Sequence, residues 1–210
     1  MTCGVGRGGV GRVSRAVGLG AMLVLAGCGT KVLPLAYTAP ANPVHGSAQV
    51  RVGASVDQRR DNDPTWYGAI RGGYGNPLSV LRSDVPVSQA VSKAFGDALA
   101  ARGMLARGDG GRYEVRLAVT RFEASRYVRL EAHVDLRAQV VEAASGRVVH
   151  EGQGQANKVS GSIFALDSGI FASPTELSNL MAAALTEAVD KIVDDPGFRR
   201  AVGDASVPVG

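Results

Sequence analysis

Cysteine is nearly missing from this chain, and its scarcity excludes more than any motif asserts. Cys3 and Cys28 are the only two, so at most one disulfide can form, and no thiolate-rich zinc site can be assembled. Aromatic residues make up 5% of the sequence, too little material for a platform on which nucleobases stack. Long apolar runs are lacking as well. The most apolar stretch, AVGLGAMLVL at 16–25, would extend about 15 Å as a helix, roughly half of what a bilayer crossing requires. No Gly-x-Ser-x-Gly elbow is present to raise a serine nucleophile.

What the first 28 residues do contain is ordered. Arg7, Arg12 and Arg15 precede the apolar run with no acid among them, and Leu25-Ala26-Gly27-Cys28 follows it at once. A basic start, a short apolar run and small residues at the end describe a cleavable export signal over 1–27. Leu25-Ala26-Gly27-Cys28 resembles the bacterial lipobox at all four positions. That resemblance implies cleavage between Gly27 and Cys28, and a diacylglycerol with a further fatty acid such as palmitate on Cys28. Each buried acyl methylene contributes about 0.8 kcal/mol, so such a group holds the protein on a membrane without a spanning helix. By the same resemblance, to lipoproteins of diderm bacteria in which Asp after the cysteine retains the protein at the inner membrane, Gly29 implies the outer membrane, facing the periplasm. Removing the signal takes three arginines and no acid, so the formal charge falls from +4 to +1 and no nucleic-acid partner is indicated. Cys3 leaves too, which removes any disulfide within the mature chain. A Gly-x-Gly-x-x-Gly at Gly4, Gly6 and Gly9 lies in the discarded signal with no strand before it, and holds no dinucleotide.

Residues 28–47 read as the lipidated cysteine and a tether, because Pro34, Pro40 and Pro43 stand among few apolar anchors. A tether of that length would reach ~60 Å at roughly 3.3 Å per residue. A single α/β domain is then expected over 48–202, with a flexible tail at 203–210. In the first strand, Val50, Val52, Ala54 and Val56 alternate with Gln49, Arg51 and Ser55. A hairpin is predicted from 66–71 and 78–82 around a Gly-rich turn. The stripe Val87, Val91, Ala94, Phe95, Ala98 and Leu99, bracketed by Pro86 and Gly103, predicts a helix over 86–102. Strict alternation returns at 113–119 and 128–140, and a turn at Ala144-Ser145-Gly146 leads into a strand over 147–158. Ser173-Pro174-Thr175-Glu176 has the form of a capping box, and the helix it opens is stopped by Asp194-Asp195-Pro196. The fold class that follows is an α+β two-layer sandwich. It has a mostly antiparallel sheet, two helices on one face, the order β-hairpin-α-β-β-β-α, and the other sheet face open to solvent.

Sites are harder to find. His133 falls on the polar face of its strand and His150 on the strand folded back beside it. With Glu131 or Asp135, two histidines and a carboxylate would suit a metal, but Arg129, Arg137 and Arg147 crowd that surface and favour a plain solvated face. We therefore expect no catalytic residues, no metal, no cofactor and no enzyme. Two apolar stretches, Trp66 with Tyr67 in the early hairpin and Ile163, Phe164 and Phe171 before the capped helix, carry two readings: satellite core packed beneath their loops, or candidate contacts for a partner or lipid.

The layout resembles the YajG-type family of bacterial lipoproteins. The matching features are the lipobox, Asp57-Gln58-Arg59, Ile70-Arg71-Gly72-Gly73, and the helix end Leu99-Ala100-Ala101-Arg102-Gly103. The strand over 113–122 and the C-terminal run to Asp195-Pro196-Gly197-Phe198 continue the match. The resemblance implies an envelope lipoprotein with no assigned reaction, a non-catalytic binding or scaffold module whose partner is an envelope protein or lipid. The stretch 113–141 is also similar to the auxiliary lipoproteins of lipid-transport ABC systems, which implies the alternative of a subunit in such a machine.

Overall fold

The computed structural model describes residues 29–47, 49–61, 63–108, 110–160 and 173–203. Along the chain these form β1 (Gly29–Val32), β2 (Val50–Asp57), β3 (Trp66–Arg71), β4 (Pro77–Arg82), α1 (Val87–Ala101), β5 (Tyr113–Arg126), β6 (Leu130–Glu142), β7 (Val148–Ser160), α2 (Pro174–Val193) and α3 (Pro196–Ala201). The signal at 1–27, Cys28, Ile163, Phe164, Phe171 and the tail from 204 lie outside the described residues.

The expected α+β sandwich is what forms. Seven strands make one sheet in the order β1-β4-β3-β5-β6-β7, and β2 adds to β5 beside that path. The long pairings β5–β6 and β6–β7 are antiparallel, as is the β3–β4 hairpin. The joins β1–β4, β2–β5 and β3–β5 are parallel. Because β2 and β3 both run parallel to β5, they share one of its edges end to end, β2 along 113–119 and β3 along 124–126.

Alternation decides which face the helices cover. Val115, Leu117, Val119 and Phe122 of β5 and Val134, Leu136, Ala138 and Val140 of β6 are buried. Opposite them are Val91, Phe95 and Leu99 of α1 and Leu177, Met181, Leu185, Val189 and Ile192 of α2 in one continuous core. Close approach of α2 to β7 depends on Gly154, where a Cβ would run into the backbone carbonyl of Ala188. The capping box forms as expected: the Ser173 hydroxyl accepts from the Thr175 N–H at 3.1 Å, and the Glu176 carboxylate accepts from the Ser173 N–H at 3.3 Å. Among the described residues no helix is long and apolar enough to cross a membrane.

Three expectations are corrected. First, the Pro-rich stretch is not a free tether. Gly29–Val32 is an edge strand on β4, and the residues after it lie against the domain with Leu35 buried. Leu33, Leu35 and Tyr37 alternate, which supplies the apolar anchors that proline content had obscured. Second, β2 does not keep one face inward. A bulge between Val52 and Ser55 shifts the register by one residue, and a shift of one exchanges the two faces. Val52 packs on the core, whereas Ala54 and Val56 turn outward and the Ser55 hydroxyl meets that of Ser92 on α1 at 2.6 Å. Third, α2 stops at Val193 as expected, but the expected element order lacks a short helix that follows Asp194-Asp195-Pro196. Asp195 caps α3 by accepting from the Phe198 N–H at 2.9 Å, and Phe198 is buried against Phe95.

Candidate binding surfaces

Among the described residues no helix covers the outward face of the sheet. Arg116, Arg137, Gln139, Glu151 and Gln153 rise from β5, β6 and β7 around Ala54, Val56 and Ala118, lining a shallow depression of about 750 Å³. The Gln139 amide donates to Glu151 at 2.8 Å, and Arg116 donates to Glu114 at 2.8 Å. Such a floor offers amides and alternating charge around small apolar side chains, and it stays open to solvent.

The two histidines do not meet. His133 stands on this open face, its Nδ1 2.6 Å from the Asn157 side-chain oxygen and its Nε2 3.6 Å from Glu131. The neighbouring Arg129 donates to Glu131 at 2.6 Å and holds that carboxyl below its ordinary range. His150 pairs in register with Val140, so it points to the helix side, edge-on to the Phe198 ring and 3.5 Å from Asp195. Paired strands put residues of unlike parity on opposite faces, and that parity separates them. Among the described residues no group of three histidines, cysteines or carboxylates is placed to hold a metal.

Tyr67 follows the core reading and not the partner contact. It is fully buried, edge-on to Phe122, with its hydroxyl donating to Ser178 at 3.1 Å, and burial pushes that phenol up. A partner cannot touch it while the fold is closed. Trp66 is half-buried, its carbonyl accepting from Arg59 at 2.6 Å.

One cluster gave no signal in the sequence. Arg102, just past α1, is completely buried. Its guanidinium donates to Asp194 at 2.7 and 2.5 Å, to Asp190 at 2.9 Å, to the Tyr37 hydroxyl at 2.9 Å and to the Ala98 carbonyl at 3.1 Å. Tyr37 in turn donates to Asp190 at 2.6 Å. Burial opposes the Arg102 charge, but the hydrogen bonds to Asp194 and Tyr37 outweigh it, so the pKa is raised. The Tyr37 phenol is pushed up to about 12, first by burial and then by its bond to Asp190. Arg199 extends the cluster by donating to the carbonyls of Val44 and His45 at 3.1 Å. Together these bonds strap residues 33–46 across the C-terminal parts of α1 and α2. Nothing about an arginine after a helix announces this, because a cation there normally interacts with the helix dipole in water. Between the strap and α2 a small-residue cleft of about 1090 Å³ runs past Pro34, Ala36, Ala182, Ala183 and Thr186.

No family model and no curated protein matches the sequence. Solved structures do. The crystal structure of protein XCC0632 from Xanthomonas campestris, of family DUF330, superposes with a TM-score of 0.58 at 18% identity, covering 83% of this chain and 96% of that one. An uncharacterized protein gives 0.50 at 8% identity, covering 80% and 99%. A candidate lipoprotein from Caulobacter crescentus shares 22% identity over 54% of this chain and 82% of its own, with a TM-score of 0.40. Identities this low speak to the fold alone. None of these names carries the YajG-type label or an activity.

Proposed function

We propose that the chain is a lipid-anchored lipoprotein of the cell envelope, working as a non-catalytic binding or scaffold module. The observation that carries this reading is Leu25-Ala26-Gly27-Cys28 set directly behind a ten-residue apolar run and three arginines. Cleavage after Gly27 leaves Cys28 as the acylated N-terminus. Gly29 in the next position favours the outer membrane, on its periplasmic side. The surface offered to an envelope partner is the open sheet face around Arg116, Arg137 and Gln139, where small apolar side chains are ringed by charges and amides, as in an interface between proteins.

Mass spectrometry of the N-terminal peptide from native membranes tests the anchor. A fatty-acylated Cys28 is expected, with Cys28→Ser protein unlabelled by palmitate and released to the soluble fraction. An unmodified N-terminus in the native protein overturns the reading. A photo-crosslinker at Gln139 tests the surface. Reproducible capture of an envelope protein supports the scaffold role, and capture of a permease of a lipid-transport ABC system supports the auxiliary-subunit alternative.

A further inference from the structure

Strand directions place particular residues at one end of the sheet. Ile70 lies opposite Arg126, Arg71 opposite Pro77, Arg126 opposite Leu130, and Leu130 opposite Ser160. The β3–β4 hairpin tip and the β5–β6 turn therefore sit side by side. Gly29 is paired with Ser79, two residues from the hairpin tip, so β1 also begins at this end. Consecutive Cα atoms are ~3.8 Å apart, and with a paired strand starting at Gly29 there is no slack between Cys28 and the fold. An acyl group on Cys28 would bring a bilayer against this end and no other.

The end is suited to it. Among the described residues ten large apolar side chains are exposed, and five of them are here: Tyr74, Leu78, Tyr127, Val128 and Val159. The group includes both exposed tyrosines. Tyr74 is entirely exposed, and Tyr127 donates to the Gly73 carbonyl at 2.9 Å, joining the two turns into one surface. Arg71, Arg126 and Arg129 stand among them. Tyrosine rings settle at the level of lipid headgroups, and arginines there meet anionic phosphates.

We infer that the β3–β4 and β5–β6 turns form a membrane-docking surface that seats the domain directly on a lipid bilayer beside its anchor, with Tyr74 and Val128 in the headgroup layer. The inference rests on the lipid-anchored reading and adds an orientation to it. It replaces the picture of a domain hanging from a long spacer.

In the acylated mature chain Cys28 is blocked, so a single introduced cysteine can carry an environment-sensitive dye. Tyr74→Cys and Ser145→Cys, at opposite ends of the sheet, are labelled and reconstituted on vesicles of phosphatidylethanolamine and phosphatidylglycerol. The dye at 74 is expected to shift to the blue and to be quenched by iodide several-fold less than the dye at 145. The mass of the N-terminal peptide is read on the same preparation. Acylated protein with equal quenching at both positions overturns the docking surface alone. Absence of fatty acid overturns the anchor and the surface together. Protection at 74 without vesicles assigns this end to contact between copies, which also overturns the proposal. A Val128→Ser chain, altered only at an exposed turn, should retain its fold and lower the protection of the dye at 74.

Discussion

The two ends of the sheet are built on opposite principles. At one, Arg102 and Arg199 are buried among carboxylates and carbonyls and tie the N-terminal strap to α1 and α2. At the other, Tyr74, Tyr127 and Val128 stand in water with little packed against them. The first arrangement puts charge where the fold needs it satisfied. The second leaves apolar groups where folding gains nothing from them, and an exposed apolar cluster of that kind calls for a surface to meet.

Breaking the charged end should cost most. Arg102→Met would leave Asp190, Asp194 and Tyr37 without their shared donor. Both carboxylates are partly exposed, which puts the loss near the lower limit for a broken buried pair, about 3 kcal/mol in a urea titration. The same end can be challenged by alkali. The Tyr37 phenol near 12 lies above the ordinary 10, so the folded chain holds that proton more tightly than the unfolded one. Its contribution is complete below pH 10 and is lost as the pH rises to 12. Absorbance titration should show late phenols, Tyr67 among them, of which one is missing in Tyr37→Phe, together with proteolysis of the strap in that pH window.

The aromatic end sharpens the contrast with smaller effects. Ser173→Ala removes the cap of α2 and should lower stability by about 1 kcal/mol, measured by thermal unfolding. Tyr74→Ser should change it by less than about 0.5 kcal/mol, since the side chain is fully exposed. A large loss in that variant would mean that the tyrosine serves the fold, and the contrast between the ends would fail.

Legibility followed the same division. The strands β5 and β6 and both long helices could be read from periodicity and caps, because each presents one apolar face over many residues, whereas the β3–β4 hairpin and β7 were legible from their turns. His133 and His150 looked like neighbours only because distance along a hairpin does not reveal parity across it. Tyr67 left two readings open because a hairpin's own sequence does not show that β3 brings it under α2. The Arg102 cluster was illegible because its partners are separated by 65, 88 and 92 positions and none is unusual where it stands.

Local chemistry, read along the chain, was enough to specify the type and order of the main elements and an open sheet face, and to propose the export segment and the acylation cysteine. Those properties depend on neighbouring residues and on short repeats. Three-dimensional packing settled the rest: the bulge that turns Ala54 and Val56 outward, the docking of the strap, and the gathering of two turns and Gly29 at one end. Each of these depends on which strands lie side by side and in what direction, and strand pairing is set by the burial of the whole core rather than by any single stretch.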